Sequence, residues 1–419
     1  MQERSYIKNI DFLTTTLVIV LILIGILNIF SAEYSEGNTK WIDFSSSVGK
    51  QIKWLGVSLL VFVVVMIIDV RFFINLSYPI YVITLLLLVA TLLFGNEVAG
   101  SKSWLIYGGF SLQPSELAKF GTILALTRFL DTTDVNVSKF RHYSIAFIMV
   151  GLPMGLIVLQ NDIGSAIVFI SLIIVLYRQG LPGFFLFVPL LLAILFILAL
   201  LVNFLYITGI LILVALFIIY LTTNRKRAIA ISVASIIFAT AFMFSVDYLF
   251  THALQPHQQS RINVLLGKDI DLQGSGYNVH QSLIAIGSGG FSGKGFLNGT
   301  QTKFNFIPEQ KTDFIFCTIG EEYGLLGSVV LLLLFTSLIL RILYLSEKQK
   351  FRYTRIFGYG VLSILFVHFA INIGMTLGLF PVIGIPLPFI SYGGSSLLGF
   401  TLMMSVFLKL ELEYRHYFN

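Results

Sequence analysis

Apolar segments of helical length recur along this sequence and limit the chain to one broad class of fold. A transmembrane α-helix needs about 20 consecutive, predominantly apolar residues to cross the hydrocarbon core of a bilayer. Hydrophobic residues make up 57% of the chain, and charged residues only 11%. The pattern predicts an all-α, polytopic bundle of about 12 transmembrane helices. The predicted spans are residues 12–31, 52–68, 76–94, 113–130, 142–159, 164–178, 183–202, 206–222, 227–250, 313–340, 356–378 and 391–409.

The basic residues lie mainly between the predicted spans and indicate an orientation. The net charge is +6 and the pI is near 9.2, values that would also suit a nucleic-acid-binding protein. Because the Lys and Arg residues are spread over the loops between apolar runs, the positive-inside rule explains them better. No nucleic-acid partner is expected, and both termini are predicted to lie in the cytoplasm.

One predicted extracytoplasmic connection differs from the others in length and polarity. Residues 251–312 separate two predicted spans, and loops of this length are usually functional or disordered. Disorder is disfavoured because the segment from Ser282 to Ile286 is apolar enough to need burial. The glycines from Gly287 to Gly295 leave two interpretations open, a phosphate-binding nest of backbone amides and a re-entrant connector.

Six polar or glycine-rich motifs are distributed over nearly the whole chain. They are QPSELAK (113–119), QNDIGSA (160–166), QSRI (259–262), GSGYNVHQSLIAIGSGG (274–290), GTQTKFNFIPEQKTDFIFCTIGEEYG (299–324) and GIPLPFISYGGSS (384–396). These motifs resemble the signatures of the SEDS family, the shape, elongation, division and sporulation proteins, and the RodA branch of that family is the most similar. They follow one another in the family's order, which makes the resemblance specific.

The resemblance implies a peptidoglycan glycosyltransferase of the bacterial cytoplasmic membrane. Such an enzyme polymerises lipid II into a nascent glycan strand during cell elongation, in complex with a class B penicillin-binding protein that crosslinks the strands. The family has about ten spans, so the hydrophobic pair around 183–222 is expected to be an inserted hairpin. The chain is then one membrane domain, residues 1–419, with its functional loop at 251–312 outside the cytoplasm.

Glycosyl transfer from lipid II needs a base that removes the proton of the acceptor hydroxyl. The leaving pyrophosphate is already a stable anion and needs cations more than it needs an acid, so one carboxylate suffices. The loop offers Asp269 and Asp271, each of which is also an ordinary turn residue. The family's essential Asp stands three residues before the first glycine of a Gly-x-Gly-Tyr motif, a position that Asp271 occupies here. The sequence leaves open whether Mg²⁺ or Mn²⁺ assists at the pyrophosphate.

Three basic residues are candidates for contacts with the substrate, and the first two, Arg261 and Lys119, for contacts with its pyrophosphate. Arg261 matches the Arg of the family's QxRI motif and suits bidentate phosphate binding, although an interfacial, snorkelling arginine fits equally well. Lys119 lies in an apolar segment one turn after Glu116, where an ionisable group is costly. A role in lining the substrate cavity is favoured over a structural i,i+3 ion pair. Lys102 is the third candidate, because Ser103 stands where the family has an arginine.

Further polar residues belong to the predicted site. Asp162 is explained as a helix N-cap as well as a site residue. One of Glu321 and Glu322, two helical turns inside a predicted span, is expected to face a polar cavity. His368 and Asn372 share a helix face and favour an interhelical hydrogen bond over a metal site. The full set of predicted substrate-binding residues is Arg261, Lys119, Glu116, Lys102, Asp162, Gln281, Glu321, Glu322 and Ser391, and no metal ligands are predicted.

Two other classes of function fit the same sequence. A flippase or transporter of a lipid-linked precursor would also place charged residues within the membrane. A non-catalytic scaffold that recruits cell-wall enzymes would need neither these charges nor the loop aspartate. The three functions differ in what they require of Asp271, which only the polymerase needs for its activity.

Overall fold

Helices dominate the part of the chain that the structure describes, as the apolar pattern predicts. The computed structural model describes residues 10–34, 46–98, 100–107, 110–202, 204–222, 224–252, 259, 275–304 and 306–418. The helices are α1 (Phe12–Glu33), α2 (Ser47–Ile67), α3 (Val70–Asn75), α4 (Ser77–Phe94), α5 (Pro114–Asp131), α6 (Phe140–Leu159), α7 (Ile163–Ile170), α8 (Ile173–Arg178), α9 (Phe184–Leu201), α10 (Phe204–Leu221), α11 (Arg225–His252), α12 (Ser275–Ser288), α13 (Thr300–Lys303), α14 (Ile315–Lys348), α15 (Arg352–Thr376) and α16 (Gly394–Phe418).

The described helices account for all the predicted apolar segments. Eight of them, α1, α2, α4, α6, α11, α14, α15 and α16, are long and apolar enough to cross a membrane. The other predicted spans fall on α5, whose sequence holds two acidic and two basic residues, and on the shorter apolar helices from α7 to α10. The prediction of a polytopic helical membrane protein is confirmed. The number of spans and the orientation of the termini stay predictions.

Polar side chains and a proline lie at the starts of several helices and favour a helix beginning there. Asp162 accepts a hydrogen bond from the backbone amide of Ser165 at 3.0 Å, which satisfies one of the unpaired amides in the first turn of α7. Asp11 and Ser46 cap α1 and α2 in the same way. Pro114 occupies the first turn of α5, where its missing N–H has no helical partner to lose.

A small antiparallel sheet between α4 and α5 is absent from the sequence-based prediction. It consists of β1 (Asn96–Val98), β2 (Ser101–Tyr107) and β3 (Phe110–Leu112), in the order β1-β2-β3. The backbone amide of Lys102 donates to the carbonyl of Gln160 at 2.9 Å, which ties β2 to the end of α6. The strands are short and occur in a polar connection between two spans, so the apolar pattern gives no sign of them.

The chain divides into two compact units, Met1–Leu181 with Asn278–Asn419, and Pro182–Tyr277. In the first unit the core lies around α15 and α16. Most residues in the apolar part of α15, and of Gly394–Glu413 in α16, are buried, whereas few residues in the apolar part of α2 are. The second unit contains α9, α10 and α11, and the predicted hairpin 183–222 forms its α9–α10 pair.

Candidate active site

A buried ion pair lies in the first turns of α5. Glu116 and Lys119 are three residues apart and so share a helix face, and Lys119 Nζ lies 2.7 Å from Glu116 Oε1. The two side chains are only 2% and 0% exposed. Removing both charges from water has a desolvation cost that their attraction must offset. Apolar packing alone would not favour such a pair at this position.

His368 of α15 extends the pair to a second helix. Its Nε2 lies 2.9 Å from Lys119 Nζ, and its Nδ1 lies 3.1 Å from the backbone carbonyl of Pro386. Because a carbonyl can only accept, Nδ1 carries the proton and Nε2 accepts from the ammonium group. The ring of Phe400 on α16, whose centroid is 5.5 Å from Nζ, closes the group. The predicted interhelical hydrogen bond of His368 is confirmed.

One oxygen of Glu116 has no partner among the described residues. Oε2 is buried and accepts no hydrogen bond there, whereas buried carboxylate oxygens in native proteins are almost always paired. Gly399 of α16 lies beside it, and a Cβ atom built at this glycine would be 3.4 Å from Oε2. The glycine therefore allows the backbone of α16 to approach the carboxylate closely. That Glu116 lines the substrate cavity stays a prediction.

Asp162 makes a second hydrogen bond besides its cap on α7. Its Oδ2 accepts from Gln113 Nε2 at 2.9 Å. The cap predicted for Asp162 is confirmed, and its contact with substrate stays a prediction.

Residues 377–393 connect α15 to α16 without an α-helix, and buried polar groups hold this segment in place. Ser391 Oγ accepts from the backbone amide of Leu387 at 2.8 Å and donates to the carbonyl of Thr312 at 2.5 Å. Asn372 Nδ2 donates to two backbone carbonyls, at 2.8 and 2.7 Å. Irregular backbone near a membrane interior is tolerated where its polar groups are satisfied in this way. The contact of Ser391 with substrate stays a prediction.

Glu321 and Glu322 are buried near the start of α14 and make contacts inside the protein. The Glu321 carboxylate accepts from Lys294 Nζ and Thr302 Oγ1, each at 2.7 Å, and from two backbone amides of α13. Glu322 accepts a hydrogen bond from the hydroxyl of Ser31 on α1. Glu321 therefore holds the GTQTK turn, and Glu322 joins α14 to α1. Their contact with substrate stays a prediction.

The glycine-rich stretch 287–295 is a packed connector. The backbone amides of Lys294 and Gly295 donate to the carbonyls of Glu321 and Glu322, at 3.0 and 2.9 Å. These amides are therefore unavailable to a phosphate group. The positive φ of 62° at Gly324 interrupts α14 where the two segments meet. The paired amides argue against a phosphate nest at these positions and favour a connector. That the connector re-enters the membrane stays a prediction.

The α12 helix packs against the end of α15. Ser282 Oγ donates to the carbonyl of Thr376 at 2.6 Å, and Ala285 is fully buried. The burial predicted for the segment Ser282–Ile286 is confirmed at these two positions, whereas the two residues between them are exposed. Gln281 is half-buried on the same helix.

A comparison with known families agrees with this arrangement. The model of the family named after FtsW, RodA and SpoVE, described as "Cell cycle protein", matches residues 11–208 and 186–416. The chain belongs to this family. The resemblance predicted from the motifs is thereby confirmed. The two matched stretches overlap at 186–208, within the α9–α10 pair where an inserted hairpin is predicted.

Individual FtsW/RodA/SpoVE relatives are similar over most of their length. "Peptidoglycan glycosyltransferase MrdB" of Escherichia coli K12 is 33% identical over 361 residues, which cover 85% of this chain and 84% of the relative. "Peptidoglycan glycosyltransferase RodA" of Treponema pallidum is 32% identical over 435 residues, 98% of both chains. A solved structure described as "Structural coordination of polymerization and crosslinking by a peptidoglycan synthase complex" is 26% identical, with a TM-score of 0.70 over 97% of this chain and 98% of that chain. The RodA crystal structure from Thermus thermophilus, at 24% identity, shares the fold with a TM-score of 0.63 over 97% of both chains.

Two predicted site residues of this FtsW/RodA/SpoVE protein, Asp271 and Arg261, lie outside the described residues. Their roles stay predictions. Lys102 lies on β2, and its Nζ donates to the backbone carbonyl of Leu93 at 3.0 Å. The structure thus brings Glu116 and Lys119 together with His368, and it places Lys102 on the separate β-sheet.

Several partners of the site residues were not found from the sequence. Ser31 pairs with Glu322 across 291 positions, and Gln113 pairs with Asp162 across 49. Helical periodicity reports only neighbours three or four residues apart. The one available signal was the presence of Gln113 and Asp162 in two motifs of the same family.

Proposed function

We propose that this protein is a peptidoglycan glycosyltransferase that polymerises lipid II into glycan strands during cell elongation. The observation that carries the proposal is the near full-length match to a relative named peptidoglycan glycosyltransferase, which covers 98% of both chains. The match needs to cover nearly the full length of the chain, because the motif residues are distributed over α5, α7, α12, α14 and the segment before α16. A match to one part of the chain would not include them all.

The proposed reaction joins an acceptor sugar hydroxyl to the anomeric carbon of the lipid-linked donor. Asp271 removes the hydroxyl proton as the new glycosidic bond forms and the bond to undecaprenyl pyrophosphate breaks. Arg261 balances the charge on the departing pyrophosphate with its two-pronged guanidinium group. No second carboxyl is required, since the pyrophosphate leaves as a stable anion.

The buried group on α5 and α15 is proposed to line the substrate cavity. Lys119 is held between Glu116 and His368, so its position is fixed before any substrate arrives. The unpaired Oε2 of Glu116 is an acceptor for a donor group that the described residues do not supply. Preorganised charge of this kind acts strongly where water is excluded. Further proposed substrate contacts are Lys102, Asp162, Gln281, Glu321, Glu322 and Ser391.

The surroundings of the reaction are also part of the proposal. The enzyme would lie in the bacterial cytoplasmic membrane with both termini in the cytoplasm, and would act with a class B penicillin-binding protein. The relative solved as part of a peptidoglycan synthase complex supports such a partner.

Whether Mg²⁺ or Mn²⁺ binds at the pyrophosphate stays open. The described residues contain no group of three or more His, Cys, Asp or Glu side chains arranged to hold a metal ion, and Asp269 and Asp271 lie outside them.

Polymerisation by the purified protein with its transpeptidase partner tests the proposed activity. Lipid II is supplied, and glycan strands are resolved on a gel. Wild-type protein should form strands that lysozyme digests. Absence of strands from correctly folded complex would contradict the proposal.

The same preparation separates the alternative functions. A flippase would move labelled lipid II across the bilayer of a vesicle without forming strands, and would tolerate Asp271→Asn. A scaffold would do neither. The buried Glu116–Lys119 pair is compatible with a flippase as well, so strand formation and lipid movement are measured on the same vesicles.

A further inference from the structure

A cleft opens between α10 and α11 in the second unit. Its volume is about 410 Å³, within the range of small-molecule binding pockets. Ala215 and Ile218 line it from α10, and Ala228 and Ile231 line it from α11. Arg227 is the charged residue in its wall. The cleft is therefore an apolar groove with a cation at one end.

The half of α11 that lines the cleft is less covered than the other half. Toward the end of α11, Ala239, Met243 and Val246 are buried, and the hydroxyl groups of Thr208 and Thr240 lie 3.4 Å apart. No residue in the first half of α11, 225–238, is buried. Both helices are apolar in composition, as expected for segments inside a membrane. A lipid is therefore a suitable occupant for the cleft.

The basic residues of the segment from α9 to α11 lie together at the start of α11. In the sequence from 182 to 252, the only Lys and Arg residues are Arg225, Lys226 and Arg227. All three are exposed, and none forms an ion pair with another described residue. Consecutive residues of a helix point about 100° apart. Arg227 therefore lines the cleft while its neighbour Lys226 does not.

We infer that this cleft binds an anionic phospholipid from the surrounding leaflet, with the lipid phosphate on Arg227 and an acyl chain between α10 and α11. The guanidinium group suits a phosphate, and cations at the membrane boundary attract anionic lipids. The apolar walls select a lipid over free phosphate, which has no group to place against them. This inference is independent of the proposed glycosyl transfer. One wall belongs to α10, so the site depends on the hairpin 183–222.

Native mass spectrometry of the full-length protein in detergent, titrated with phosphatidylglycerol, tests this site. Replacing Arg227 with Gln should weaken binding of the first retained lipid about five-fold, because the variant removes the cation that lines the cleft. Lys226→Gln makes the same change of charge one residue away and is the matched control. It should change binding by less than about two-fold, because its side chain lies outside the cleft.

A second variant tests the groove without changing charge. Ala228→Phe fills the cleft and should weaken phosphatidylglycerol binding while all three basic residues remain. Thermal unfolding of each variant is measured in parallel to confirm that the protein is folded. Equal losses in Arg227→Gln and Lys226→Gln would overturn the site, since they would indicate diffuse attraction to the basic run. Retention of phosphatidylcholine as strong as that of phosphatidylglycerol, or full binding by folded Ala228→Phe, would overturn it as well.

Discussion

Replacing Lys119 with Met should destabilise the protein through the carboxylate that it leaves behind. Glu116 is 2% exposed, and the variant removes the cation at 2.7 Å while keeping the apolar volume. Breaking one side of a buried ion pair typically costs about 3–5 kcal/mol, because an uncompensated charge stays buried. The free energy of unfolding is measured by SDS titration in mixed micelles.

The double variant Glu116→Gln/Lys119→Met supplies the decisive comparison. Removing both charges should restore most of the lost free energy of unfolding, since neutral groups have little desolvation cost. The coupling between the two sites should then be about 3 kcal/mol. Arg178→Met is the control, because the Arg178–Glu347 pair is almost half exposed and should be worth less than about 1 kcal/mol. A double variant whose loss equals the sum of the losses in Lys119→Met and Glu116→Gln, each measured alone, would refute the coupling.

Polymerisation by the double variant separates the two interpretations of this pair. If Glu116 and Lys119 line the substrate cavity, the double variant should polymerise lipid II more slowly than wild type even though its stability is restored. Full polymerisation at restored stability would show that the pair has only a structural role.

Two further predictions follow from the packing and charge of the unit that contains α5 and α15. Gly164→Ala should destabilise by about 1–3 kcal/mol, because a Cβ would overlap a backbone carbonyl of the α15–α16 connection. Gly155→Ala, with no atom within 4 Å of the added Cβ, should have little effect in the same SDS titration, and equal losses in the two variants would contradict the packing argument. Glu321→Gln weakens the charged hydrogen bonds that hold α13, so trypsin should cleave faster after Lys303, and an unchanged rate would count against this role.

The sequence contained enough information to predict the helical bundle. Apolar runs long enough to span a bilayer correspond to helices throughout the described chain, because the membrane demands both length and apolar composition. The predicted N-cap at Asp162 was also correct, since a cap depends only on neighbouring residues. Local physical rules therefore predicted the local structure.

Contacts between distant segments could not be predicted in the same way. The Lys119–His368 contact joins residues 249 positions apart, and periodicity gives no information about which helices meet. The glycine-rich stretch illustrates the same limit. Its composition fits a phosphate nest and close packing alike. Hydrogen bonds from its backbone amides to the carbonyls of Glu321 and Glu322 favour close packing, and composition does not reveal them. The β-sheet from Asn96 to Leu112 was missed because β1 and β3 have only three residues each and the sequence of β2, SKSWLIY, does not alternate between polar and apolar residues.

The rate of lipid II polymerisation by Asp271→Asn, relative to Asp269→Asn, tests the central proposal most directly. Both variants replace one loop carboxylate with its amide, two residues apart in the sequence. A general base contributes about 10²–10⁴-fold to a rate, so Asp271→Asn should lose that factor while Asp269→Asn keeps most of its activity. Folded, membrane-inserted Asp271→Asn protein that polymerises at the wild-type rate would contradict the proposal.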